Sequence, residues 1–298
     1  MIELQDLQVR LDQHVTLDIE HLQIMSGESV AIVGRNGAGK TTLFKALTGF
    51  VPITAGRVTV LGNSWGAVAP LVPLLRARQL RCLRAHIGLL WQALPLVNQL
   101  SVIENVMLGA LARSDALPKW RSYLRWYPES LRERAWSALE AVGLQDYAHE
   151  RADRLSGGER QKVAFARLSL QHAKLILADE PTSALDPQAT QVICQLLRTL
   201  AKDSGQVPAT LITIVHQPSL LPVLADRVIA LEQGKVAFDR SIADVSVADL
   251  EAVYEQSLSS DASDGPSDGT SHRTSHESSE QNPVSVNREP VALSTQLS

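Results

Sequence analysis

Apolar and polar residues alternate along Glu3–Leu11 and again along Val15–Ile24, the period-two pattern of half-exposed antiparallel strands. A different pattern follows. Ser29–Val33 (SVAIV), Leu175–Ala178 (LILA), Thr210–Val215 (TLITIV) and Val228–Leu231 (VIAL) are short, mostly continuous apolar runs. Such runs suit central parallel strands, because helices covering both faces leave neither side in water. Helical periodicity marks Arg132–Val142 and Gln188–Lys202. The sum predicts an α/β core with β additions near the N-terminus and a helical region before about residue 170. No internal repeat occurs at the periods of solenoids or propellers.

Composition narrows the class. The 298 residues are 45% hydrophobic and 20% charged, a balance that suits one large α/β domain or two smaller ones. The longest candidate membrane run, Ala67–Leu75, is short and broken by Pro70 and Pro73. MIELQDLQVR lacks the basic start and long apolar stretch of a signal peptide. Cys82 and Cys194 match neither a disulfide framework nor a zinc spacing. From Ser257 to Ser298 the chain has no aromatic residue and is rich in Ser, Asp, Gly and Pro, so a disordered tail is expected. His272 and His276 read as solvated residues of that tail rather than a metal pair. The tail holds six acids against two arginines, so it carries the whole formal charge of −4 and leaves residues 1–256 neutral. General nucleic-acid binding is not expected of that balance.

The sharpest local signal is Gly34-Arg35-Asn36-Gly37-Ala38-Gly39-Lys40-Thr41-Thr42, which matches G-x-x-x-x-G-K-[ST]. It follows SVAIV and precedes the helical pattern LFKALTG, the strand–loop–helix setting that the motif requires. Glycines let backbone N–H groups turn inward around phosphate oxygens, and the following helix start adds positive potential. Lys40 can reach the β- and γ-phosphates, and the Thr41 hydroxyl can ligate Mg²⁺. Downstream, LILA-Asp179-Glu180-Pro181 ends a buried strand in two carboxylates. Asp179 would hold Mg²⁺, directly or through water, and Glu180 would polarise the attacking water.

Leu155-Ser156-Gly157-Gly158-Glu159 opens a helical run, Arg160–Leu170, just upstream of LILADEP. With it the chain resembles the ABC ATPases, whose LSGGQ-like signature separates them from other P-loop proteins. The resemblance spans approximately residues 1–245. It implies a P-loop NTPase fold with a RecA-like core, an antiparallel β subdomain and an α-helical signature subdomain at about 93–170. The cassette is expected over 1–246, followed by the tail at 257–298. It also implies ATP and Mg²⁺ as ligands, and a head-to-tail dimer in which Ser156, Gly157 and Gly158 meet the γ-phosphate bound to the other chain. Gln92, in LLWQ, looks like the glutamine that senses Mg²⁺ and the attacking water. Asp186, in SALD, resembles the D-loop aspartate that couples the two sites, and His216 the switch histidine on the γ-phosphate. One departure stands out. The family has an aromatic residue near the end of the first strand, which stacks on adenine; that role falls near Leu11, where LQVRLDQHV offers no Phe, Tyr or Trp.

A single cassette without a membrane span resembles the separate ATPase subunit of an importer. Its implied partners are a second ATPase subunit, integral-membrane permeases and, indirectly, a solute-binding protein, at the cytoplasmic face of the cell membrane. Pro118-Lys-Trp-Arg-Ser-Tyr-Leu-Arg-Trp-Tyr-Pro128 and the ERAD-x-LSGG lead-in look like the phosphonate-import ATPases. Another small solute, or a soluble regulatory ABC ATPase, is the alternative. Trp136 is expected to pack the helical region, with Trp120 and Trp126 as candidate permease contacts. Eleven basic residues face four acids between Arg57 and Arg134. Arg76, Arg78, Arg81 and Arg84 begin this cluster, and Lys119, Arg121 and Arg125 continue it. Anionic headgroups or a permease loop would suit it, as would solvent alone.

Overall fold

The computed structural model describes residues 1–11, 14–67, 73–91, 96–112, 127–183, 185–202 and 207–255. By its internal contacts the chain divides into Met1–Ser257 and Leu258–Ser298, and the second unit lies outside the described residues. So do Gln92, Ala184, Trp120, Trp126, Lys119, Arg121 and Arg125.

In chain order the first unit runs β1 (Ile2–Leu11), β2 (His14–Ile24), β3 (Ser29–Val33), α1 (Lys40–Leu47), β4 (Ala55–Val60), β5 (Asn63–Gly66), α2 (Pro73–Arg84) and β6 (Ile87–Leu90). It continues with α3 (Val102–Met107), α4 (Glu129–Ala141), α5 (Gly157–Ser169), β7 (Leu175–Asp179), α6 (Pro187–Lys202) and β8 (Thr210–Ile214). Short α7 (Leu221–Leu224), β9 (Arg227–Glu232), β10 (Lys235–Ser241) and α8 (Val247–Glu255) complete it.

Two sheets form. The larger has strand order β10-β9-β3-β8-β7-β6, parallel throughout except for β10. The smaller is antiparallel, in the order β2-β1-β4-β5. The parallel sheet separates two cores, and its strands supply both. Ala31, Val33, Ile176, Ala178, Leu211, Val228 and Ala230 face the core shared with α3, α4, α5 and α6. Val30, Ile32, Leu175, Leu177, Ile212, Ile214, Ile229 and Leu231 face the core shared with α1 and the antiparallel sheet. Each fully buried Leu or Ile adds about 1.5–3 kcal/mol. A strand that must satisfy both cores therefore favours apolar residues at nearly every position, buried Thr213 of β8 being an exception, which is why these segments read as mostly continuous apolar runs.

In β1 the alternation breaks where a bulge intervenes. The β1–β4 register shifts between Gln5 and Gln8, Asp6 takes φ 47°, and Leu4 and Leu7 both end up buried. One extra residue thus restores the inward face after the slip. The β4–β5 hairpin, β10 and α8 were not anticipated from the sequence; the hairpin's signal is Val58 and Val60 alternating toward a Leu61-Gly62 turn.

α3 and α5 start with the same device. Ser101 and Glu104, like Ser156 and Glu159, form reciprocal capping boxes, satisfying two orphan donors at each helix start. Two sequence expectations are corrected. Trp136 is 38% exposed, its Nε1 donating to Glu140 and its ring tilted against His149, because the buried face of α4 is Leu131, Ala135 and Leu139. A residue one step after Ala135 points about 100° away from that face. Arg84 is not a free surface cation. It donates to the Thr48 and Gly49 carbonyls and lies 4.1 Å from the centre of the Phe50 ring, closing the end of α1.

Candidate functional site

The parallel strands β3, β7 and β8 end together, and each delivers part of one site. β3 leads into the loop Gly34–Gly39. Arg35 is half-buried, Asn36 and Gly37 are exposed, and Ala38, Gly39, Lys40 and Thr42 are buried. The loop rests on the β9–β10 turn, where Gly234 N donates to the Ala38 carbonyl and Gly234 O accepts from Asp18 N. Gly39 holds φ 98°, and a Cβ there would meet Leu17 Cδ2 at 2.7 Å and Thr16 O at 2.8 Å. Only glycine fits beneath the loop. Gly37, at φ 83°, would meet nothing within 4 Å, so the outer side of the loop stands open.

Lys40 lies at the start of α1 with its ammonium folded back, donating to the Gly34 carbonyl at 2.6 Å and the Arg35 carbonyl at 2.8 Å. Burial lowers its pKa, while Glu180 and Asp179 pull it back up. Thr41 Oγ1 donates to Asp179 Oδ2 at 3.3 Å. Burial raises the Asp179 pKa, the Thr41 bond lowers it, and neighbouring Glu180 raises it further. A buried carboxylate beside a hydroxyl, disfavoured as an anion, is a hard oxygen donor set that a divalent cation would relieve.

Glu180 follows Asp179 directly and turns out of the strand. Its φ is 50°, uncommon for a residue with a side chain, and Pro181 follows it. Its N–H donates to the Ile214 carbonyl at 3.3 Å, and its own carbonyl accepts from Gln161 Nε2 at 3.4 Å. The turned carboxylate meets His216: Oε1 lies 2.8 Å from Nε2. Side-chain exposures of 24% for Glu180 and 33% for His216 leave the pair open to a reactant. A cavity of about 240 Å³ adjoins it, lined by Glu180, Ser183, Ile214, His216 and Gln217 among others.

Lys40, Thr41, Asp179, Glu180 and His216 are therefore brought together within one chain. Ser156, Gly157 and Gly158 are not. Among the described residues, no hydrogen bond or ion pair joins residues 156–158 to residues 34–42; Ser156 instead bonds Glu159. Asp186 uses its carboxylate to cap α6, accepting from Gln188 N at 3.0 Å and Ala189 N at 2.9 Å. These bonds, that from Ala189 first, hold its pKa down. Leu11 ends β1 with 37% of its surface exposed. Gln161 was missed by sequence reasoning. It is buried on α5, yet its amide oxygen has no partner among the described residues.

The chain that carries this glycine loop, the paired Thr41 and Asp179 and the signature helix is similar to known proteins over most of its length. The family model described as "ABC transporter" matches residues 17–183, more than half of the chain. This chain belongs to the ABC transporter ATPases. It is 37% identical over 244 residues to the phosphonates import ATP-binding protein PhnC of Escherichia coli K12, a match covering 81% of this chain and 89% of that protein. The PhnC protein of Shigella dysenteriae serotype 1 matches at the same identity and coverage. Among solved structures, the ATP-binding cassette MJ0796, in a dimeric post-hydrolysis state bound to ADP and Pi, matches at TM-score 0.67 and 27% identity. That match covers 81% of this chain and 98% of MJ0796. CbiO1 of Clostridium perfringens, part of the cbiONQ transporter complex, matches at TM-score 0.64 and 26% identity, covering 80% and 88%. The family's activity is ATP hydrolysis, and the fold is the P-loop cassette. No helix among the described residues is long and apolar enough to cross a membrane.

Proposed function

We propose that this ABC ATPase powers the import of phosphonates, or of related phosphite or phosphate esters, through separate permease subunits at the cytoplasmic face of the membrane. The observation that carries the import reading is the 37% identity to PhnC across nearly all of the first unit. The site supplies the chemistry. When bound, Mg²⁺ neutralises developing charge on the phosphates, and Thr41 and Asp179 are the residues placed to hold it. Lys40 leaves the Gly34 and Arg35 carbonyls for the β- and γ-phosphates. The Glu180 carboxylate orients the attacking water and takes its proton, and His216 steers that carboxylate through their 2.8 Å contact.

The separation of Ser156 from residues 34–42 within one chain supports a second cassette as partner. In that arrangement Ser156, Gly157 and Gly158 complete the other chain's phosphate site, and Asp186 lies at the seam. Release of the γ-phosphate reopens the pair. Gln92, just beyond the described Trp91, would report that movement to the permease. Phe50, half exposed and 6.5 Å in ring-centre distance from Trp91, offers an apolar contact there.

The test is reconstitution in vesicles with the permease and a solute-binding protein. Phosphonate-loaded binding protein should stimulate phosphate release severalfold, and loading with an unrelated solute should not. Stimulation by the unrelated solute alone would move the import assignment elsewhere. Glu180→Gln should lower hydrolysis about 100- to 1,000-fold while ATP still binds.

A further inference from the structure

His216 adjoins a peptide that is bonded by α8, the last helix of the first unit. His216 follows Val215, and the peptides on either side of Val215 are each held by a hydrogen bond. Val215 N donates to the Ile32 carbonyl of β3 at 3.1 Å. The Val215 carbonyl, part of the same peptide plane as the His216 N–H, accepts a hydrogen bond from the Tyr254 hydroxyl at 3.0 Å. That hydroxyl comes from α8, thirty-nine residues later.

α8 is itself fastened to the sheet edge. Ser246 and Asp249 satisfy each other across its first turn: the Ser246 amide and hydroxyl donate to Asp249 at 3.0 and 2.6 Å, and Asp249 N donates back to the hydroxyl at 3.1 Å. Arg240 on β10 ties the same carboxylate at 3.1 Å. Leu250, Val253 and Tyr254 then pack against the core that contains buried Val215, Leu221 and Leu224. The Tyr254 ring is thus fixed along its length before its hydroxyl reaches the Val215 carbonyl. Burial pushes the phenol pKa up to about 12, so the group stays a donor throughout the neutral range.

We propose that Tyr254 is a positioning residue for ATP hydrolysis: its hydroxyl sets the Val215–His216 peptide, and through it the contact between His216 and Glu180. The inference rests on the reading of His216 and Glu180 as members of the hydrolytic site. The geometry makes the dependence specific. A backbone carbonyl rotates with its peptide plane, so losing the Tyr254 bond frees the plane from which the imidazole departs. A contact of 2.8 Å between Nε2 and Oε1 tolerates little such rotation. ATP binding falls to the glycine loop and Lys40, and among the described residues no hydrogen bond or ion pair joins α8 to either.

Tyr254→Phe keeps the ring and removes only the hydroxyl. In the full-length protein, kcat should fall about 3- to 10-fold with KM for ATP within about twofold of wild type. The same change made on top of His216→Ala should lower residual turnover no further, since both act through one imidazole. The imidazole proton resonances of His216, recorded without nucleotide well below the unfolding temperature, should shift in Tyr254→Phe. An unchanged kcat with unshifted His216 signals would overturn the proposal, as would an equal loss in both backgrounds, which marks a general packing role. If His216→Ala alone leaves turnover intact, the reading of His216 fails instead, and the two failures stay separate.

Discussion

α1 and α5 begin alike in sequence, each at a glycine-rich stretch, yet they handle their first turns in opposite ways. α1 starts from Gly39 in the left-handed region with no side-chain cap, and its helix-starting lysine bonds back into the loop. α5 starts from Ser156, whose hydroxyl and amide are both engaged by Glu159 at 2.8 Å. The first end carries no side-chain cap; at the second, the capping box takes the Ser156 and Glu159 N–H groups. At the start of α1 the side chain bonded into the loop is that of Lys40, on the Gly34 and Arg35 carbonyls. At α5 an anion must compete with a carboxylate already in place. Under the proposed pairing of cassettes, this makes the α1 end the resident site and the α5 end the conditional one, engaged only when a second chain presents its nucleotide.

The largest effect is expected where the uncapped end is blocked. Gly39→Ala forces a side chain into φ 98° and sets its Cβ 2.7 Å from Leu17, which should cost about 2–4 kcal/mol and abolish measurable ATP binding. Urea unfolding and nucleotide titration together check this; wild-type affinity in the folded variant would show that the loop does not need its strained geometry. Ser156→Ala is expected to cost about 1 kcal/mol by removing a helix cap, while leaving ATP binding to the isolated chain unchanged. If Ser156→Ala also weakens ATP binding in monomeric protein, the distinction between resident and conditional ends collapses.

The smallest effect concerns pH. Hydrogen bonds from Ser156 hold the Glu159 pKa below its ordinary value of 4.5. The folded chain therefore binds this proton less readily than the unfolded chain. The capping box adds stability above the ordinary carboxylate range and loses it as pH falls through the lowered folded value. Glu159→Gln removes that one dependence, so its denaturation midpoint should decline less than wild type's between about pH 6 and about pH 3.5. Equal declines would show that the bond seen at the helix start has no thermodynamic weight.

Much of this was legible along the chain because the chemistry is local. Nine consecutive residues make the phosphate loop, and Asp179 and Glu180 are neighbours, so their spacing is written in the covalent order. The four apolar runs were equally readable: β3 is Ser29–Val33 as expected, β7 and β8 differ from their runs by one residue at one end, and β9 by one at each end. Less legible were features set by partners distant in sequence. Arg84 belongs by composition to a basic cluster, but its guanidinium closes α1 thirty-five residues upstream. Trp136 has the character of a core residue, and only the packing of Leu131, Ala135 and Leu139 turns it outward.

By itself, then, the sequence determined the family, the parallel-strand framework and the identity of each charged group in the loop and at the end of β7. All of these follow from contiguous residues or from the burial that a strand covered on both faces demands. Only the tertiary structure decided which of those groups meet. It brought His216 against Glu180, reached back from α8 to place Tyr254 on Val215, and left Ser156 bonded to its own helix rather than to the loop. Such contacts depend on the register of strands and the angle at which helices cross them. These are outcomes of close packing among many side chains at once, and no local pattern carries them.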